Sequence, residues 1–550
     1  VLRTPGDHTI TLVFKEQREV VSEKLWNLTV ASAGGEKVVK ISSSGGISFN
    51  YSKELETPVD SEDEVVSGNL SLRFAMEAAG WEMAWNGVNI QYVKDSPGDD
   101  VTISSGFYFT LKKAEQLIEY GDISVQETSL TAPSFARRGI QAKLKVSDAE
   151  IHLFDVSTAT VSGWNSGLGG NGRQVYGGSV KMPVGPEGKN PITLVFITGE
   201  NGAVNGYNAA GTQGPSEGDV FGVAFTGEFG DFSVGGELAF SSYDEDTTSG
   251  GGKVDDFSGT VDLGFPVGDY SLSFGYFYYG PDFASIANPN FTGDREGGNA
   301  SVSTTYGPVS VSLTLNRTWD NVERDSSRPI VYSTAGTLSS SFNVEGWPGV
   351  SFSYSLSEQK SDNEPAGSSE VNNVNHTYSL GLSKSGEFWS AGINGSVSRL
   401  RDKAGSFGSA SKSLSLSGSL TPWEGFSISP SLSYTGSRSG GVTNRTRLAT
   451  LSGSLPFIGN TLDASFQVSY TLNDASDGSV DQKTVDGSFR LALNLQEVVK
   501  GLSDYGTAAL ALSCNYRKVD DDLNPANSGE DITVLLTINV SAPFDLSFGI

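Results

Sequence analysis

The side chains that could do chemistry are few, and their spacing narrows what they could do. The chain carries three histidines, His8, His152 and His376, too far apart to share a metal-ligand spacing. His152 stands between Ile151 and Leu153 and reads as a wall residue rather than a base. Serine is so frequent that no Ser/His/Asp combination stands out, so the reading is not an enzyme. One cysteine, Cys514, rules out an internal disulfide. It falls in the apolar series Leu510, Leu512, Cys514, Tyr516 and reads as a small outward-facing hydrophobe. Acids gather at Asp60 to Glu64, at Asp244 and Asp246, and at Asp520 and Asp522. Hard cations prefer carboxylate oxygens, so Asp244, Asp246, Asp520 and Asp522 are the candidate Ca2+ ligands, without a complete calcium-loop pattern. Arg73, Lys112, Lys143 and Lys145, with Glu119 and Asp122 nearby, are the candidate charges of an inner wall. The formal net charge of −27 argues against nucleic acid as a partner.

What must position these groups is a repeating hairpin. Leu414, Leu416, Gly418 and Leu420 alternate with serines, Thr421-Pro422-Trp423-Glu424-Gly425 turns the chain, and Phe426, Ile428, Leu432 and Tyr434 alternate with serines again. A period of two sends alternate side chains to opposite faces of a strand. One face is apolar and the other small and neutral, the pattern of a transmembrane β-barrel. The same alternation recurs at Leu70 to Met76, Ile103 to Leu111, Tyr270 to Tyr278, Val309 to Leu315, Val350 to Leu356, Leu462 to Leu472 and Ile532 to Val540.

Composition agrees. Hydrophobic residues are 37%, with 10% aromatic and 67 glycines in 550 residues, and no linker divides the chain beyond about residue 65. No stretch of 18 apolar residues exists, which excludes a transmembrane helix but not a barrel strand, for which about 9–11 residues suffice. The chain opens on Val1 rather than Met, as expected where a leader or an earlier segment has been removed.

Short turns are expected near Gly80, Lys113, Asp148, Pro186, Gly230, Pro266, Pro308, Pro348, Gly386, Pro422, Pro456, Gly501 and Pro543. Two strands per turn give an all-β, antiparallel, up-and-down transmembrane barrel of about 26 strands, within a range of roughly 24–28, with short periplasmic turns and longer extracellular loops. Residues 1–43 are expected to be a periplasmic extension, a plug or the first strands, and residues 44–550 the barrel. Trp347, Trp389, Trp423 and Phe457 lie beside turns and are the candidate aromatic girdle at the headgroup level. Such a ring would be roughly 50 Å across its backbone, with a lumen on the order of 35–40 Å. Its inward residues, largely Ser, Gly, Thr and Asn from Ala300 to Tyr470, are too small to fill it.

A resemblance adds to this reading. Glu119-Tyr120-Gly121-Asp122, Leu130 to Pro133, Phe135-Ala136-Arg137-Arg138-Gly139 and Gly177-Gly178 resemble a segment of very large outer-membrane proteins of Gram-negative bacteria. In size the barrel resembles the sheath of porin–cytochrome electron conduits and, more loosely, large secretion channels. The resemblance implies a bacterial outer-membrane location and a protein partner in the lumen or on the surface: a multihaem cytochrome, a surface filament or a lipoprotein. Lipid bilayer and lipopolysaccharide would surround it. The chain has no Cys-x-x-Cys-His, so it binds no haem covalently. Three functions follow as expectations. The first is a conduit or sheath for a partner protein or macromolecule. The second is a water-filled diffusion porin. The third is a membrane anchor for a surface layer, filament or extracellular assembly.

Overall fold

The computed structural model describes residues 6–16, 19–30, 40–54, 64–86, 89–95, 98–104, 107–158, 167–168, 173–185, 190–202, 215–405, 408–457, 461–498 and 507–549. Among the described residues, two strands, Gly6–Glu16 and Glu19–Val30, pair only with each other as a hairpin. Every other strand belongs to one antiparallel ring. It begins at Lys40–Glu54, and Gly529–Gly549 closes it by pairing with that first strand, with Ile41 opposite Phe548 and Tyr51 opposite Ile538. The ring is up-and-down and has 26 strands among the described residues, where Trp81–Asn86 with Asn89–Asp95, and Gly98–Ser104 with Tyr108–Lys113, are two strands each interrupted once.

The alternation explains the register. Leu414 faces Tyr434 and Leu416 faces Leu432, while Ser415 faces Ser433 between them. Apolar side chains therefore meet on one surface and hydroxyls on the other. Pro430 interrupts this hairpin. The pairing runs from Ser417 opposite Ser431 directly to Leu420 opposite Ile428, because proline has no N–H to give the ladder.

The apolar surface is the outer one. Leu416 is 39% exposed, Leu432 53%, Phe196 52% and Leu153 51%. A continuous band of such residues around a ring is unstable against water and stable against hydrocarbon. No helix among the described residues is long and apolar enough to cross a membrane.

The short turns lie where the glycines and prolines place them. At Ala79-Gly80 both residues take positive φ, 53° and 77°, the conformation a two-residue hairpin turn requires. The expected turn at Pro543 is a correction: the final strand runs straight through this residue, which stands opposite Gly46. The neighbouring strand Thr507–Asp521 begins at Thr507, opposite Ser541. Pro543 thus has one described partner strand, and an edge position tolerates a missing donor. The strand count holds because Lys40–Glu54, which no expected short turn joins to a partner, supplies the strand that a turn at Pro543 would have added. The turns near Pro186 and Gly501, and residues 458–460 of the turn after Pro456, lie outside the described residues.

Candidate functional site in the barrel lumen

The inner face divides into two arcs. Over strands Arg295–Tyr306 to Ser427–Ser439 it carries Ser, Thr, Gly and Asn. Ser303, Ser312, Ser339, Ser353, Ser379, Ser396 and Ser413 follow one another from strand to strand in register. Neighbouring hydroxyls bond laterally, Ser310 to Ser341 at 2.6 Å, Ser396 to Ser413 at 2.7 Å and Thr377 to Ser398 at 3.1 Å. These bonds satisfy part of each hydroxyl's capacity within the wall, so the surface is polar, short and uncharged.

Over strands Gln116–Val125 to Tyr270–Tyr279 the inner face carries large apolar residues among its polar ones, while the outer face stays apolar. Phe196 and Tyr176 point out, and their neighbours Ile197 and Val175, both 0% exposed, point in. Two long loops cover these inward residues. One is Gln126 to Ser134, between strands Gln116–Val125 and Phe135–Val146. The other is Gly280 to Asp294, between Tyr270–Tyr279 and Arg295–Tyr306. Ile286 and Ala287 of the second loop pack on Val125, Val156, Val175 and Ile197. Phe283 joins Leu130, Val220 and Ala239, flanked by Tyr279 and Phe291. Ser285 Oγ donates to the Thr131 carbonyl, which ties the two loops together.

Two carboxylates fasten the first loop to the wall. Glu237, 8% exposed, receives Ser129 Oγ at 2.6 Å, the Leu130 N–H at 3.0 Å and the Thr128 hydroxyl. Glu127 faces His152 Nδ1 at 2.6 Å, and His152 Nε2 meets Gln141 Oε1 at 2.9 Å. The Gln141 amide nitrogen donates to Glu119 and to the Ser124 carbonyl. His152 is thus a fastener of the inward loop. Sequence reasoning missed Glu237 and Glu127. The available signal was the break in alternation: Leu194 to Ile197 and Val220 to Phe225 are apolar on both faces, which requires a cover on the inside as well as lipid on the outside.

The expected wall charges are distributed as follows. Arg73 is exposed on strand Glu64–Ala78. Lys112 pairs with Glu82 at 3.7 Å and Lys145 with Glu115 at 2.8 Å; Lys143 is exposed in a cleft it shares with Lys145, Lys181 and Glu150. These pairs lie near the short-turn rim and, being exposed, are worth little to stability. Asp122 requires a correction. It lies three residues from Glu119, hence on the opposite, outer face, where Arg138 holds it by two bonds of 2.9 and 2.8 Å. Arg138 is 2% exposed, with the Phe107 ring 5.8 Å from its guanidinium. In the resembling segment Gly139 is required by space: a Cβ there would strike the Asp155 carbonyl and Val156.

The candidate metal ligands do not converge. Asp244 Oδ1 caps the Asp246 N–H at 3.0 Å, and Asp246 in turn accepts from Thr248, which holds its carboxyl below the usual range. Lys518 lies 3.6 Å from Asp520, and Lys483 lies 2.7 Å from Asp522. Among the described residues no three His, Cys, Asp or Glu side chains gather as a metal site. Of the aromatic candidates, Trp389 stands opposite the outward Leu420, Trp423 stacks on Phe426 at 4.3 Å, and Trp347 and Phe457 are exposed beside their turns.

No family model matches the chain, and no curated protein matches it. Among solved structures it is similar to the P pilus usher (PapC) translocation pore, with 11% identity over 92% of this chain and 99% of that one, at a TM-score of 0.35. It is also similar to the E. coli P pilus tip assembly intermediate PapC-PapD-PapK-PapG, with 12% identity over 93% of this chain and 62% of that one, at 0.44. Pseudomonas aeruginosa OpdK with vanillate follows, with 11% identity over 65% of this chain and 98% of that one, at 0.26.

Proposed function

We propose that the protein is a wide bacterial outer-membrane channel that serves as a conduit or sheath for a partner protein or macromolecule. The outer apolar band and the closed strand ring support the membrane location. One observation carries the conduit reading: the serine wall. A cargo with many side chains or sugars would be retarded by a charged ladder and by an apolar lining. A wall of short hydroxyls already bonded to one another offers it neither.

The test is single-channel conductance of the purified protein in a planar bilayer, with mass spectrometry of what co-purifies. A small conductance with a stoichiometric partner is the expected result. A large, steady conductance from the lone chain would favour the second reading, a diffusion porin. That reading draws on the two inward loops, which narrow one side of the lumen as a porin constriction would. Failure to enter bilayers would remove both.

A further inference from the structure

In a chain of net charge −27, one patch of the outer surface is basic. It spans strands Asn372–Ser385, Trp389–Asp402, Gly408–Leu420, Ser427–Ser439 and Val442–Phe457, at their long-loop ends. Alternation with the exposed Ile393 and Val397 places Arg399 and Arg401 on the outer face. Lys412 stands opposite Val397, and Arg438 follows the outward Tyr434 by four residues. In register, Arg399 opposes Ala410 and Ala410 opposes Arg438, so the two guanidinium bases are separated by two strand spacings, roughly 10 Å.

The local acids are already engaged. Asp402 caps the amides of Ala404 and Gly405 at 3.0 Å. Glu358 takes Lys403 at 3.7 Å, and Asp474 takes both Arg445 and Arg447 at 3.1 Å. Among the described residues no carboxylate lies within ion-pair distance of Arg399, Arg401, Lys412 or Arg438. Three of the four line a cleft of about 690 Å3 with Val374, Tyr378 and Val397. Toward the short-turn rim the surface becomes apolar through Leu414, Leu416, Leu432, Tyr434 and Ala449, with Arg447, held by Asp474, at the level of Tyr434.

We propose that this patch binds a phosphorylated glycolipid of the outer leaflet, of the lipopolysaccharide class. Its phosphates lie on Arg399, Lys412 and Arg438, and its acyl chains lie along the leucine surface below. Arginine matches phosphate oxygens in pairs, and the spacing suits a headgroup bearing more than one phosphate. The apolar continuation selects the lipid over a soluble phosphate. The proposal rests on the outer-membrane reading given above.

The test titrates purified lipopolysaccharide into the detergent-solubilised full chain and reads binding by native mass spectrometry. The triple variant Arg399→Gln/Lys412→Gln/Arg438→Gln should bind on the order of 100-fold less tightly. A control triple, Arg317→Gln/Lys483→Gln/Lys518→Gln, should bind as the parent does. Equal loss in both triples, or no loss in the first, overturns the site. Inorganic phosphate binding as tightly as the glycolipid overturns the lipid as ligand. Insertion into phosphatidylethanolamine/phosphatidylglycerol vesicles is measured in parallel. Parent and variant should both insert, and an inserting parent without glycolipid binding overturns this site while leaving the membrane reading intact.

Discussion

The arc from Gln116 to Tyr279 and the arc from Arg295 to Ser439 share one strand geometry and differ in what lies against their inner faces. Val175, Val195, Ile197 and Val220 on the first arc are at most 1% exposed, because the loops 126–134 and 280–294 fold against them. Ser339, Ser353 and Ser413 on the second meet only their neighbours in the wall and the lumen. An apolar residue inside a water-filled ring must be covered, at roughly 1.5–3 kcal/mol for each fully buried side chain. A serine requires no cover. The composition of the inner face thus decides where a barrel of this size keeps a thick wall and where it keeps a thin one.

The sharpest test of that difference is Phe283→Ala. It removes the ring that seats the second loop on Leu130 and should cost about 3–5 kcal/mol, read from the thermal unfolding midpoint. The same variant should raise conductance by freeing the loop. Shortening the loop at residues 363–371, on the serine arc, should leave conductance unchanged, and equal effects would erase the distinction between the arcs. Next comes Leu416→Arg against Ser417→Arg. The outward substitution at mid-membrane should cost about 2–4 kcal/mol and the inward one far less, read from urea unfolding in detergent or lipid. Equal costs would reverse the assignment of faces. Smaller again is Glu237→Gln. An amide offers one accepting oxygen where the carboxylate offered two, so a buried donor among Thr128, Ser129 and Leu130 loses its partner, at about 1–3 kcal/mol. Faster amide exchange at Leu130 and none at Ser396 is the expected result.

The smallest effect is one of pH on the long loops. Thr248, Ser327 and Ser479 donate to Asp246, Asp325 and Asp477 and hold these carboxyls below the ordinary value of 3.8. A carboxyl depressed by folding stabilises its loop fully above the ordinary value, and that stabilisation is lost as pH falls through the lower, folded one. Amide exchange at Thr248, Ser327 and Ser479 should therefore quicken only below about pH 4. Loosening already at about pH 6 would show that these bonds do not order the loops.

Strands, facing and strand number were legible because alternation at Leu414 to Tyr434 is a local signal that needs no knowledge of the rest of the ring. Pro543 misled because proline marks both a turn and a strand with a free edge. The faces of Glu119 and Asp122 could have been separated by parity alone, since three residues apart in a strand means opposite sides. The inward loops were not legible in the same way. Glu237 meets residues more than a hundred positions earlier, and nothing near it in sequence names Thr128 to Leu130 as its partners.

The ring's closure has a consequence for assembly. Every ladder but one joins neighbours in the chain, so hairpins can accrete one at a time at little entropic expense. The exception joins Lys40–Glu54 to Gly529–Gly549, and bringing such distant segments together costs on the order of 5–6 kcal/mol in chain entropy. The terminal strand is 21 residues long and pairs with the first along most of its length, from Glu54 opposite Leu535 to Lys40 opposite Gly549. It acts as the clasp of the ring: long enough to offset that entropy, and free to seal only once every other strand is already in the wall.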